Sequence, residues 1–117
     1  MFYAPKAFES RAVAASGIAV SEAYDQSNIK PAGALSIQWS RQTSAARPKL
    51  RVMCSNMREA HDTPDSSVVV WRQCHEVELT DLTGSLEIAA PPYRYVRFVL
   101  VGATADEAGA SVWPCWP

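Results

Sequence analysis

Along most of this chain apolar residues recur at every second position, the period of an extended strand with one dry face and one wet face. Leu35, Ile37 and Trp39 alternate with Ser36, Gln38 and Ser40, and Leu50, Val52 and Cys54 alternate with Arg51, Met53 and Ser55. Val77 and Leu79 alternate with Glu76 and Glu78, and Leu86 and Ile88 with Ser85 and Glu87; Thr83-Gly84 between them reads as the turn of a hairpin. Val68 to Val70 form a β-branched run inside a strand predicted over Ser67 to Trp71, after a turn-rich loop from Asn56 to Ser66. The longest strand is predicted over Tyr93 to Val101. Val96, Phe98 and Leu100 lie on one of its faces and Tyr93, Tyr95, Arg97, Val99 and Val101 on the other; both faces are partly apolar, so the strand sits centrally in a sheet or has its second face covered by a neighbour. A short closing strand follows over Ala110 to Trp113, with Pro114 to Pro117 as a tail.

About eight strands at regular spacing, with no convincing helix between them, cannot bury their apolar sides singly. They imply an all-β, two-sheet antiparallel β-sandwich, jelly-roll-like. Eight prolines against five glycines suit short strands joined by irregular loops. At 117 residues one core is the limit, giving a single sandwich domain over 17–117 preceded by an extended N-terminal arm over 1–16. No apolar run reaches the roughly 18 residues needed to cross a bilayer, so no membrane partner is expected.

A net charge of −1 provides no bulk attraction to nucleic acid, and Tyr93-Arg94-Tyr95-Val96-Arg97-Phe98 resembles a base-stacking surface only in its alternation. The overall balance hides two blocks. Residues 26–58 carry Lys30, Arg41, Arg47, Lys49, Arg51 and Arg58 without an acid, whereas 59–90 carry seven acids against Arg72 alone. Either the domain is dipolar and docks on charged neighbours, or the blocks are adjacent strands whose charges pair. Cys54, Cys74 and Cys115 are odd in number and lack C-x-x-C pairs, so they are expected to be reduced, with no structural metal. Glu9 inside the N-terminal basic stretch fits a secretory signal poorly.

Common catalytic signatures are absent: there is no G-x-S-x-G elbow, H-E-x-x-H pair or phosphate-cradling glycine loop. His61-Asp62 reads as a surface turn, and Glu76 and Glu78 read as the wet side of a hairpin. The expectation is a protein without enzymatic activity and without a cofactor. Trp39, Trp71, Tyr93, Tyr95, Trp113 and Trp116 supply enough rings for a sugar-stacking platform, with Trp39 in phase with the core and Trp116 the best candidate for an exposed ring.

Ser27-Asn28-Ile29, Ala34 to Trp39, Val52 to Asn56, Val70-Trp71 and Tyr93 to Phe98 together resemble a β-sandwich pattern of bacteriophage virion proteins that overlaps the galactose-binding or discoidin-like jelly roll. Met57-Arg58 stands where that pattern has Asp-Gly, so no ligand residues are carried over. The resemblance implies a virion location after synthesis in a bacterial cytoplasm, and a structural role in capsid decoration or cementing, or in a tail or fibre. The expected partners are the major capsid protein or other virion proteins and further copies of the chain, as a dimer or trimer. A carbohydrate-binding module of a tail or fibre is the alternative. Expected contact residues are Phe2, Tyr3 and Phe8 as arm anchors, Trp113 and Trp116 as tail anchors, and Arg41, Arg47 and Lys49 as electrostatic contacts.

Overall fold

The computed structural model describes residues 6–26, 33–41, 46–103 and 107–116, and the backbone of 2–3. Ser27 to Ile29, Lys30, Asp106, part of the loop after Arg41 and the side chains of Phe2 and Tyr3 lie outside the described residues. In chain order the strands are β1 (Phe2–Tyr3), β2 (Phe8–Val13), β3 (Ile18–Val20), β4 (Tyr24–Asp25), β5 (Ala34–Arg41), β6 (Lys49–Ser55), β7 (Arg72–Glu78), β8 (Thr83–Ala89), β9 (Tyr95–Val101) and β10 (Ala108–Trp116). A single-turn helix, α1 (Glu59–Asp62), interrupts the loop before β7.

All pairings are antiparallel. Sheet A runs β1/β2-β10-β5-β8 and sheet B runs β3/β4-β9-β6-β7. With β1/β2 and β3/β4 each filling one position, there are four positions per sheet, and the chain passes back and forth between them in the jelly-roll manner. The dry parity of each strand meets in the middle. Leu35, Ile37, Leu50, Val52, Val96, Phe98, Leu100 and Val112 are at most 1% exposed, as the alternation predicts, and β9 sits centrally between β3/β4 and β6.

Several expectations change. The predicted hairpin is a crossing between sheets: β7 pairs with β6 in sheet B, while β8 pairs with β5 in sheet A. Alternation reports which face is buried but not which strand lies alongside. Gly84 is not a turn residue; it lies inside β8 against the Trp39 indole, which fills the space a β-carbon would need. Ser67 to Trp71 is loop rather than strand, and it is held by Trp71 Nε1 donating to the Pro64 carbonyl at 3.0 Å. The strand predicted over Tyr93 to Val101 starts at Tyr95 and is not the longest: it has seven residues against nine in β10. Pro114 to Trp116 extend β10 and do not form a tail. Val112 O accepts from Ala7 N, so Pro114, two residues on, turns its nitrogen to the same side, at the interval between β1 and β2.

The described N-terminal strands β1 and β2 are stitched along β10. Phe2 and Tyr3 align with Trp116 and Cys115, and Phe8 aligns with Val112. Glu9 and Ser10 together oppose Ser111, and Ser10 takes a positive φ of 45° with its N–H bonded to the Ser111 hydroxyl, forming a bulge that bends β2 over the sandwich.

The cysteines are not all reduced: Cys54 and Cys74 form a disulfide, leaving Cys115 free. The cause is a second bulge. His75 aligns with Val52 and Gln73 with Met53, so Cys74 is the extra residue, and the slip turns it inward beside Cys54. The bond fastens edge strand β7 to β6. It closes a 20-residue separation, for which chain entropy predicts a stabilisation of about 3 kcal/mol. Reduction with a thiol, or the paired change Cys54→Ser and Cys74→Ser, should lower unfolding free energy by up to that amount in urea titration; an unchanged midpoint would show that the cross-link constrains nothing.

Candidate functional site

Directly paired residues on neighbouring strands point to the same side of a sheet, so the register lays out each outer face in rows. On sheet A one row is Trp113, Gln38 and Ser85, the next is Cys115, Ser36 and Glu87, and a third is Ser111, Ser40 and Thr83. This face is flat and hydroxyl-rich, with one indole. A shallow groove of about 490 Å³ runs over it, lined by Ser36, Gln38, Trp113, Pro114 and Cys115. Lys6 Nζ lies 5.0 Å from the Trp113 ring centroid and 3.3 Å from Glu9 Oε1, and it is not part of the groove wall.

Sheet B presents a different face. Ile18, Val101, Lys49 and Glu78 form one row, and Val20, Val99, Arg51 and Glu76 the next. Read across the strands, the face passes from apolar to basic to acidic. Ile18 is 62% and Val20 40% exposed. Arg51 Nε meets Glu76 Oε2 at 2.6 Å, and this hydrogen bond, against a smaller opposing effect of burial, holds the Glu76 carboxyl below its ordinary range. At these rows the basic and acidic blocks of the sequence pair strand to strand, the second of the two arrangements expected. Beside them Arg97 stacks at 4.3 Å over Trp71 and bonds Asp65 at 2.8 Å, clipping the loop before β7 to the sheet.

A polar cleft of about 300 Å³ at one end of the sandwich is lined by Asp25, Arg58, His61, Asp62, Arg94 and Tyr95. Each guanidinium has a carboxylate beside it, Arg94 with Asp25 at 3.4 Å and Arg58 with Asp62 at 3.8 Å. His61 Nδ1 is 3.3 Å from Asp62 Oδ1, with both side chains more than half exposed. Both belong to the single turn of α1, and the His61 ring lies 5.8 Å from the Tyr95 ring.

The predicted contact residues scatter. Phe8 is 5% exposed and belongs to the core, and Trp116, expected as an exposed ring, is fully buried; neither can anchor a partner. The Trp116 indole stacks near Tyr24 and Phe98, and its Nε1 donates to Gln26 Oε1 at 2.8 Å. Gln26 Nε2 in turn donates to the carbonyls of Pro91 and Tyr93, both at 2.6 Å, so one buried amide satisfies the end of β10 and the turn before β9 together. Burial, then the charge of Glu22, raises the neighbouring Tyr24 hydroxyl to about 12. Arg41 spends its guanidinium on the carbonyls of Asp81 and Thr80, at 3.1 and 2.9 Å. Arg47 is exposed beside β6. Lys49 and Trp113 remain as surface residues, on opposite faces of the sandwich. Sequence reasoning missed the companions of each, Gln38, Ser36 and Ser85 on one side and Ile18, Val20 and Val99 on the other. The parity of Ser36, Gln38, Ser85 and Val99 was visible, but their neighbours are set by register, and Ile18 and Val20 stood in no strand read from the sequence.

Gln26→Leu should cost about 1–3 kcal/mol, because it takes the acceptor from buried Trp116 Nε1 and the amide donor from the Tyr93 carbonyl, while the Pro91 carbonyl keeps the Tyr93 N–H at 2.8 Å; thermal or urea unfolding reads the loss. The Arg51–Glu76 pair stabilises the fold above the ordinary carboxylate pKa, and its contribution fades as pH falls through the lowered Glu76 value. The urea midpoints of wild type and Glu76→Gln should therefore differ at pH 7 and converge on acidification below the ordinary carboxylate range; a constant gap would contradict the pairing.

Scanned against protein-family models the chain matches none, and no curated protein matches it.

Proposed function

We propose that this domain is a structural protein of a bacteriophage particle, a capsid decoration or cement protein that acts by protein–protein contact through the outer face of sheet B. The observation that carries the reading is the apolar strip at the β3 edge, where Ile18 and Val20 stand exposed beside Val101 and Val99 and are flanked by Lys49 and Arg51. An apolar centre with a charged border is the layout of a docking patch. Full burial of Ile18 and Val20 would contribute about 1.5–3 kcal/mol each. A contact of about 1,000 Å² or more would bind stably, and repetition around a shell, or as a dimer or trimer, would multiply weak single sites. Lys49, expected from the sequence as an electrostatic contact, lies on this border and gives the approach to an acidic capsid surface its direction. The Cys54–Cys74 bond suits a protein that works on a particle outside the reducing cytoplasm in which it is made.

A carbohydrate-binding role on a tail or fibre is the second reading, favoured by the indole and hydroxyl groups exposed on sheet A.

Particles lacking the protein should bind it when it is added back, co-sedimenting with it and becoming harder to rupture by heat. Ile18→Asp combined with Val20→Asp should weaken that binding at least about tenfold while leaving the circular-dichroism spectrum unchanged. Undiminished binding by the double variant, or no retention of wild type on any particle component, would overturn the proposal.

A further inference from the structure

We propose that the outer face of sheet A is a binding surface for a neutral oligosaccharide, with Trp113 as its stacking ring and Gln38, Ser36, Ser85 and Glu87 as its hydrogen-bonding floor. This rests on the carbohydrate reading given second above and deepens it by naming the ligand class and the residues; it is independent of the docking role assigned to sheet B, since the two faces point in opposite directions.

The chemistry of the face selects this ligand. A pyranose has one side rich in C–H groups, which associates with an aromatic ring, and a rim of hydroxyls that both donate and accept. Trp113 supplies the ring, half-buried and upright on β10. Its row continues into the Gln38 amide and the Ser85 hydroxyl, and the next row carries the Ser36 hydroxyl and the Glu87 carboxylate. The Gln38 amide and the Ser85 hydroxyl can each donate and accept, while the Ser36 hydroxyl, which donates to the Cys115 carbonyl at 3.4 Å, and the Glu87 carboxylate accept, so the floor matches the mixed demands of sugar hydroxyls. Side chains on adjacent strands stand about 4.8 Å apart and successive outward ones about 6.8 Å, so an extended chain lying over the rows meets a polar group at each step. The groove of about 490 Å³ lies within the range of small-ligand sites, and being shallow it suits a chain bound from one side.

Charge and rigidity narrow the class further. Among the floor residues only Glu87 is charged, and Lys6 at the margin is already paired with Glu9, so nothing here attracts a polyanion. A protein partner fits less well, because serine is depleted at protein–protein interfaces, whereas apolar and arginine-rich surface lies on the other sheet. The indole is also preset: Lys6 faces its ring at 5.0 Å, Trp113 pairs with Gln38 on β5, and its neighbours Val112 and Cys115 align with Phe8 and Tyr3 on the other side. A ring fixed before binding loses little entropy when a sugar settles on it.

The test is an array of neutral oligosaccharides, with glucose-, galactose-, xylose- and N-acetylglucosamine-based chains and heparin fragments as the anionic comparison. Hits are titrated by tryptophan fluorescence and amide chemical shifts. We expect saturable binding of a neutral chain that survives raised salt, with shifts confined to β5, β8 and β10. Trp113→Ala should weaken it at least about tenfold and Gln38→Ala, an exposed change that leaves the ring in place, about fivefold. Ile18→Asp with Val20→Asp should leave sugar binding unchanged, so failure on one face is distinguishable from failure on the other. Silence across the array with folded protein, binding that survives Trp113→Ala, or preference for the anionic fragments lost on adding salt would each overturn the proposal.

Discussion

The pleat of a strand couples its two sides, and in this molecule that coupling determines the surface as well as the core. Once Leu35, Ile37, Leu50, Val52, Val96, Phe98, Leu100 and Val112 are committed to the space between the sheets, every intervening residue on β5, β6, β9 and β10 must face outward. The character of each outer face is thus the complement of a packing solution. Sheet A turns out serine, threonine, glutamine and a single indole; sheet B turns out valine, isoleucine and paired charges.

That coupling also explains what could be read from the sequence. β5, β6 and β9 were legible to within about two residues, and the sandwich followed from them, because parity is a local property of the chain. The partner of each strand is not local. Glu76-Val77-Glu78 and Ser85 to Ile88 carry the same pattern whether they pair with each other or, as here, with different sheets. The Cys54–Cys74 bond was hidden for a related reason: an odd number of cysteines allows one bond and one thiol, and the bulge that turns Cys74 inward breaks the period on which the reading depended. Proline and a short remaining length made Pro114 to Trp116 look like a tail. The proline is tolerated because its nitrogen meets the interval between two edge strands, and the last ring then becomes core.

The candidate surfaces were legible only in part. Trp113 and Lys49 could be picked out as single residues of telling type, but a binding face is a two-dimensional array and the sequence displays one dimension of it. Gln38 and Ser85 are 47 positions apart in the chain and adjacent in the sheet. Polar buried groups escaped for the opposite reason, since Gln26 has no pattern around it and its three bonds exist only in the folded molecule.

The corner where the chain leaves β7 for β8 ties the two layers together. Trp39 Nε1 donates to the Asp81 carbonyl, the same oxygen that Arg41 holds, while the Trp39 ring occupies the notch left by Gly84. One carbonyl oxygen of the crossing thus meets two side chains of β5. Any change at the β7–β8 crossing, from sheet B into sheet A, is therefore felt directly by the inward indole of β5.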